Sequence, residues 1–293
     1  MSYDYSLIRT RLDRGVLTAT IDNPPINLLT GQLFGQLNAL TAEVETDTSV
    51  RVLVLESANP DFFIAHYDLE AILAFPTDGE AERPTSLGGF HLMCERVRTM
   101  DKPSLAKIAG RVGGGGSEFS ASCDMRFGVL GRTVVNQMEV ALGILPGGTG
   151  TQRLPRLLGR GRALELILGS DDLDAETAER WGYLNRAFAD EAPMHEFVDR
   201  LALRIAGFPQ EAVALAKASV LDAELPLVDG LLGEAYRFQQ TVRMEGAQQN
   251  MRAALAAGAQ TREGELRMGE LCQELAEEGL GQNAEAEGSG QVS

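Results

Sequence analysis

The sequence predicts an α/β protein with a helical C-terminal part, and three observations carry that expectation. Short apolar runs bounded by turn formers alternate with helical periodicity over the first two-thirds of the chain. Beyond Pro209 only helical patterns follow. With 293 residues, 44% of them apolar, the chain can bury one core of about 200 to 250 residues and still carry an appendage.

Residues 16–21 (VLTATI) open the series as a strand. Residues 31–45 follow as an amphipathic helix, because Leu33, Leu37, Leu40 and Val44 recur at spacings of four, three and four. Residues 51–56 (RVLVLE), 104–109 (SLAKIA) and 123–130 (CDMRFGVL) read as further strands, the first and last of these as buried ones. Residues 211–220 form an Ala-rich helix, and Leu231, Ala235, Phe238 and Val242 mark a second helical stripe. These patterns divide the chain into a β/α core over residues 1–200, a helical region over 201–280 and a tail over 281–293. The tail has almost nothing to bury and is expected to be disordered.

The net charge of −16 argues against a nucleic-acid partner, since neutralising phosphates takes clustered Lys and Arg. A small phosphorylated ligand is compatible with it, because a few local cations or backbone N–H groups suffice. Cysteines at 94, 123 and 272 show neither disulfide nor zinc spacing, so reduced, structural thiols are expected. The first dozen residues hold no apolar leader core, and no run reaches the length of a membrane span. A cytoplasmic protein with no membrane partner is the expectation.

Three segments hold candidate chemistry. Gly113 to Glu118 (GGGGSE) has the composition of a flexible linker, but the strand ending at Ala109 leads into it and core-like residues follow. It reads instead as a strand-to-helix turn whose backbone N–H groups can approach an anion or a carbonyl. A phosphate loop is disfavoured, because no Lys-Ser or Lys-Thr pair follows the glycines. Met138-Glu139 introduces VALGILPGGTGTQRLP, whose glycines taken alone suggest a surface loop and whose glutamate suggests a solvated charge. In FFIAHYDL, residues 62–69, a lone His66 beside an aromatic is more often a hydrogen-bonded core residue than a catalyst.

Taken together, in order and at these spacings, the segments resemble the crotonase (enoyl-CoA hydratase/isomerase) family. Residues 23–29 (NPPINLL) look like its N-terminal acyl-CoA loop, and residues 64–69 (IAHYDL) its C-A-G-A-D-L segment. Gly110 through Glu118 is similar to its N-G-x-x-x-G-G-x-E turn. Met138-Glu139 with PGGTGTQRLPRLLG, and later residues 178–188 (AERWGYLNRAF), resemble its two remaining elements. The resemblance covers residues from about 15 to 255.

It implies a spiral of ββα units with a helical C-terminal oligomerisation part, assembled as a homotrimer or homohexamer. It further implies an oxyanion hole from the N–H groups of Tyr67 and Gly115, with Glu118 and Glu139 as the catalytic acid/base pair. Substrate contacts are implied at Ile26, Leu28, Ala65, His66, Asp68, Gly114 and Met138. The expected partner is an acyl-CoA thioester and the expected reaction is hydration of a 2-enoyl-CoA, with Glu118 as base and Glu139 as acid, the reverse staying open. No cofactor is expected, coenzyme A being part of the substrate. The rivals are an isomerase, a thioester or carbon–carbon hydrolase, and a non-catalytic acyl-CoA-binding member. Three positions depart from the family pattern: His66 and Tyr67 stand where it has a glycine and a small residue, and Met138 where it has a proline. His66 is expected to replace the glycine in the left-handed backbone region, with a catalytic role as the alternative.

Overall fold

The fold is described from a computed structural model over residues 3–75, 84–224, 244–258 and 273–281. Strand β1 (Ile8–Asp13) pairs antiparallel with β2 (Val16–Ile21), and helix α1 (Gly31–Thr46) carries the chain back to β3 (Val52–Ser57), parallel to β2. From there the chain repeats one manoeuvre. It runs through β4 (Phe62–Ile64), α2 (Leu69–Leu73) and α3 (Gly89–Thr99), then β5 (Ser104–Ile108), β6 (Arg111–Gly113) and α4 (Gly114–Ala121). The next turn is β7 (Met125–Val129), β8 (Val134–Asn136), α5 (Gly150–Leu158) and α6 (Arg160–Gly169). Each turn gives its first strand to a six-stranded sheet, ordered β1-β2-β3-β5-β7-β10, and its second to a four-stranded sheet, β4-β6-β8-β9. Because every turn runs the same way, β3, β5 and β7 pair parallel, as do β4, β6 and β8. Strand β9 (Leu173–Asp174), α7 (Ala175–Trp181) and β10 (Arg186–Phe188) close the two sheets, and α8 (Glu191–Ala206) lies across the larger one.

The alternation along β3 explains its unbroken apolar run. Leu53 and Leu55 enter one core cluster with α1 and α3, while Val52 and Val54 enter another with Val198 and Ala202 of α8. A sheet covered on both faces needs apolar residues at both parities. Leu33, Leu37, Leu40 and Val44 of α1 are all buried, and Thr30 caps the helix by accepting from Leu33 N–H. All eight residues of α4 are buried, placing this helix at the centre of the molecule.

Helix α9 (Gln210–Leu221) occupies the Ala-rich run, and a further helix spans Glu245–Ala256. The stripe of Leu231, Ala235, Phe238 and Val242 lies outside the described residues, as does nearly all of the tail. Among the described residues no helix is long and apolar enough to cross a membrane.

Candidate active site

The strand that leads into the glycine run is β6, a three-residue member of the smaller sheet, and not the strand over residues 104–109. Gly114, with φ at 45°, turns the chain from β6 into α4, and the N–H of Gly115 stands in the first turn, where a helix offers no intrahelical acceptor. Across from it, Tyr67 forms a parallel bridge with Leu29: Leu29 N–H donates to His66 O at 2.9 Å and Asp68 N–H donates to Leu29 O at 3.2 Å. That pairing turns the N–H of Tyr67 away from Leu29. Its nitrogen lies 3.6 Å from where a Cβ on Gly115 would stand, so the two backbone donors share one corner.

Glu118 projects from α4 and is 4% exposed. Its Oε1 accepts three backbone N–H groups, from Gly148 at 2.8 Å, Thr149 at 2.8 Å and Gly150 at 2.7 Å. These are the donors at the amino end of α5, where a helix receives an anion. The second glycine-rich segment is therefore no solvent loop but the clamp on Glu118. Ser122 Oγ–H donates to Glu118 O and in turn accepts from Arg153 Nε, tying α4 to α5 behind the carboxyl.

Glu139 follows β8 and is 8% exposed, which overturns its reading as a solvated charge. Burial pushes its carboxyl up to about 7, with the nearby Glu118 adding to the rise, while a hydrogen bond from Gln137 Nε2 to Oε2 at 3.1 Å works against it. Gln137 Oε1 is buried without a partner among the described residues. An amide flip would let that oxygen accept from a protonated Glu139, so Gln137 suits both states of the carboxyl.

Both glutamates face one cavity of about 910 Å³. Its floor is Tyr67, Gly115, Glu118 and Glu139, and its walls include Phe34, Ile72, Phe90, Ile144 and Leu145. The rings of Phe34 and Phe90 are 6.0 Å apart, and Tyr67 meets Phe90 edge-on at 6.1 Å, so the side chain at 67 narrows the space with aromatic surface. These wall residues escape sequence reasoning because each is an ordinary apolar position until the fold brings three helices and the loop of Ile144 and Leu145 together.

The other expected contacts fall elsewhere. Ile26, Leu28, Ala65, His66, Asp68, Gly114 and Met138 are absent from the cavity lining. Ile26 and Leu28 are half-buried on a loop anchored by Asn27, whose amide donates to Ser57 Oγ and to the carbonyls of Phe62 and Phe63. Asp68 caps α2 by accepting from Glu70 N–H. Gly114 backs onto Glu139 and His66, Ala65 is buried, and Met138 is half-buried beside its glutamate. His66 does not take the left-handed conformation expected of a glycine substitute: outside glycine, positive φ occurs among the described residues only at Arg14, Asn27 and Ser170. Its ring is turned back onto its own chain, with Nδ1 2.8 Å from Tyr67 O.

The family model for enoyl-CoA hydratase/isomerase matches residues 11–258. A "Probable enoyl-CoA hydratase" of Bacillus subtilis is 30% identical over 249 residues, which are 85% of this chain and 95% of that protein. The alpha subunit of the fatty acid oxidation complex from Shewanella baltica is 36% identical over 179 residues, covering 60% of this chain. The match spans about 25% of that subunit's length. Among solved structures, enoyl-CoA hydratase from Bacillus anthracis superposes with a TM-score of 0.76 at 25% identity, covering 85% of this chain and 95% of that one.

Proposed function

The chain belongs to the enoyl-CoA hydratase/isomerase family, and on that premise we propose that it adds water across the double bond of a 2-enoyl-CoA to give the 3-hydroxyacyl-CoA. The observation that carries this reading is the pair of carboxyls facing one cavity from unlike environments. Glu118 has one oxygen occupied by three donors, which leaves Oε2 to accept a proton from water as its oxygen attacks C3. The electrons move onto the thioester oxygen, where the N–H groups of Tyr67 and Gly115 hold the enolate, each donor worth on the order of 3 kcal/mol. Glu139, at about 7, carries a proton at neutral pH in a large fraction of molecules and delivers it to C2. Glu118 ends protonated and Glu139 ionised, and exchange with solvent restores both. The sum is redox-neutral and takes neither metal nor redox cofactor.

The acyl chain fits the aromatic cavity, and the loop of Ile26 and Leu28, outside it, takes the coenzyme A portion. Assembly as a homotrimer or homohexamer and a cytoplasmic setting belong to the same reading; free, buried Cys94 and Cys123 suit a reducing compartment. Incubation with crotonyl-CoA, followed by absorbance and by mass of the product, tests the reaction. Gain of one water is the expected result. An unchanged mass with a moved double bond marks an isomerase, free coenzyme A marks a hydrolase, and unaltered substrate marks a binding subunit.

A further inference from the structure

Four polar groups flank Tyr67 on its two peptide planes: His66 O, Tyr67 N–H, Tyr67 O and Asp68 N–H. Leu29 claims the first and last through its own N–H and carbonyl. The third is claimed by the imidazole of His66, whose Nδ1 lies 2.8 Å from Tyr67 O. A carbonyl only accepts, so Nδ1 is the donor in that bond. The one group of the four left without a partner among the described residues is Tyr67 N–H, in the corner shared with Gly115. From this we infer that His66 is a positioning residue: its imidazole fixes the plane of the Tyr67 carbonyl and so helps aim the neighbouring Tyr67 N–H at the thioester oxygen.

The inference rests on the oxyanion-hole reading of the site but not on which reaction follows. It differs from proton transfer by His66 in a way that can be measured. The Nδ1–H bond to Tyr67 O exists in the neutral and the cationic ring alike, so positioning leaves the pH profile to other groups. The titratable groups nearby are Glu139, whose Oε1 lies 2.9 Å from where a Cβ on Gly114 would stand, with His66 Cβ 3.3 Å from the same point, and Asp68, which caps α2. An asparagine can place its amide nitrogen where Nδ1 stands, whereas phenylalanine fills the space with no donor.

The test compares the full-length protein with His66→Asn and His66→Phe, reading kcat, KM, the pH profile and the absorbance of bound cinnamoyl-CoA. Hydrogen bonds to a conjugated thioester carbonyl shift its absorption to the red, which reports the donors without any turnover. His66→Phe is expected to lower kcat about 10- to 100-fold, short of the ~10²–10³-fold cost of losing an oxyanion donor, with KM within about threefold and a smaller red shift. His66→Asn is expected to stay within about threefold of the parent in kcat, with the parent's red shift and pH profile. The proposal is overturned if His66→Phe keeps the parent's kcat and red shift, or if His66→Asn loses as much as His66→Phe. Loss of a limb of the pH profile in both variants also overturns it and assigns His66 to proton transfer. If the parent shifts the probe yet hydrates no enoyl-CoA, the hydration reading falls, and the probe comparison still decides the role of His66.

Discussion

At the scale of single residues, the two glutamates stand in unlike environments, one clamped by three backbone donors and one raised by burial, which fits the two roles proposed for them. Replacing either Glu118 or Glu139 with glutamine keeps the shape and removes a proton-transfer partner, which is expected to cost about 10²–10⁴-fold in turnover. The double variant is expected to lose little more than the worse single one, since both groups serve one addition step. Steady-state kinetics on crotonyl-CoA checks this, and an unimpaired Glu118→Gln would remove that residue from the mechanism.

The raised value at Glu139 has consequences for rate and for stability. If the protonated form is the active one, kcat/KM falls as pH rises through about 7, and Glu139→Gln lacks that limb. A Glu139 acting as base instead puts the limb on the acid side. For stability, the folded state holds this proton more tightly than the unfolded chain, whose carboxyl titrates near 4.5. The native state therefore binds more protons between those values, and the contribution present below about 4.5 is lost as pH rises to about 7. Glu139→Gln, which never ionises, is expected to gain in melting temperature relative to the parent across that window and to keep a constant lead above it. A lead that does not change with pH would mean that burial does not oppose ionisation of this carboxyl.

At the scale of elements, part of the fold was legible in the sequence, though β1 and the sixteen-residue α8 went unread beside neighbours of equal length. Helix α1 and strands β2, β3, β5 and β7 stand within one or two residues of their predicted places, because each is long enough to show its period. Strands β4, β6, β8 and β9 are two or three residues long, too short for any periodicity, and they make up the whole smaller sheet. For that reason the sequence led the wrong strand into α4. The candidate site was legible in a similar, partial way: resemblance pointed to both glutamates that line the cavity, but no local pattern links Glu118 to an amino end thirty residues later.

That link between elements can be broken directly. A Cβ on Gly148 would fall 2.4 Å from Glu118 Oε2 and 2.6 Å from the ring of Phe90, and α4, which carries Glu118, is buried throughout. Gly148→Ala is therefore expected to displace the carboxyl, leaving the fold intact and lowering kcat about 10²-fold, the cost of roughly an ångström of misplacement. Circular dichroism establishes the fold and single-turnover kinetics the loss. Full activity in this variant would show that the clamp on Oε1 does not set the geometry of the reacting oxygen.

At the scale of the whole molecule, large apolar side chains remain exposed in helical pairs: Leu164 and Leu168 on α6 at 47% and 61%, and Met251 and Leu255 at 46% and 53%. Val220, at the end of α9, is 73% exposed. Single exposed apolar residues are ordinary, but pairs one helical turn apart make faces of the kind that subunits cover. Such contacts in a homo-oligomer close by symmetry, so one face repeated around an axis yields a ring. We expect light scattering at micromolar concentration to give three or six times the 31.5 kDa of the chain. Assembly of this kind stabilises the fold by mass action, so melting temperature is expected to fall on dilution. Substituting Leu168 with Glu places a charge on one such face without entering the core, and it is expected to lower the assembly state while leaving monomer secondary structure unchanged. A parent protein that scatters as a monomer would reject the oligomer outright, and an unaltered assembly in Leu168→Glu would move the interface off α6.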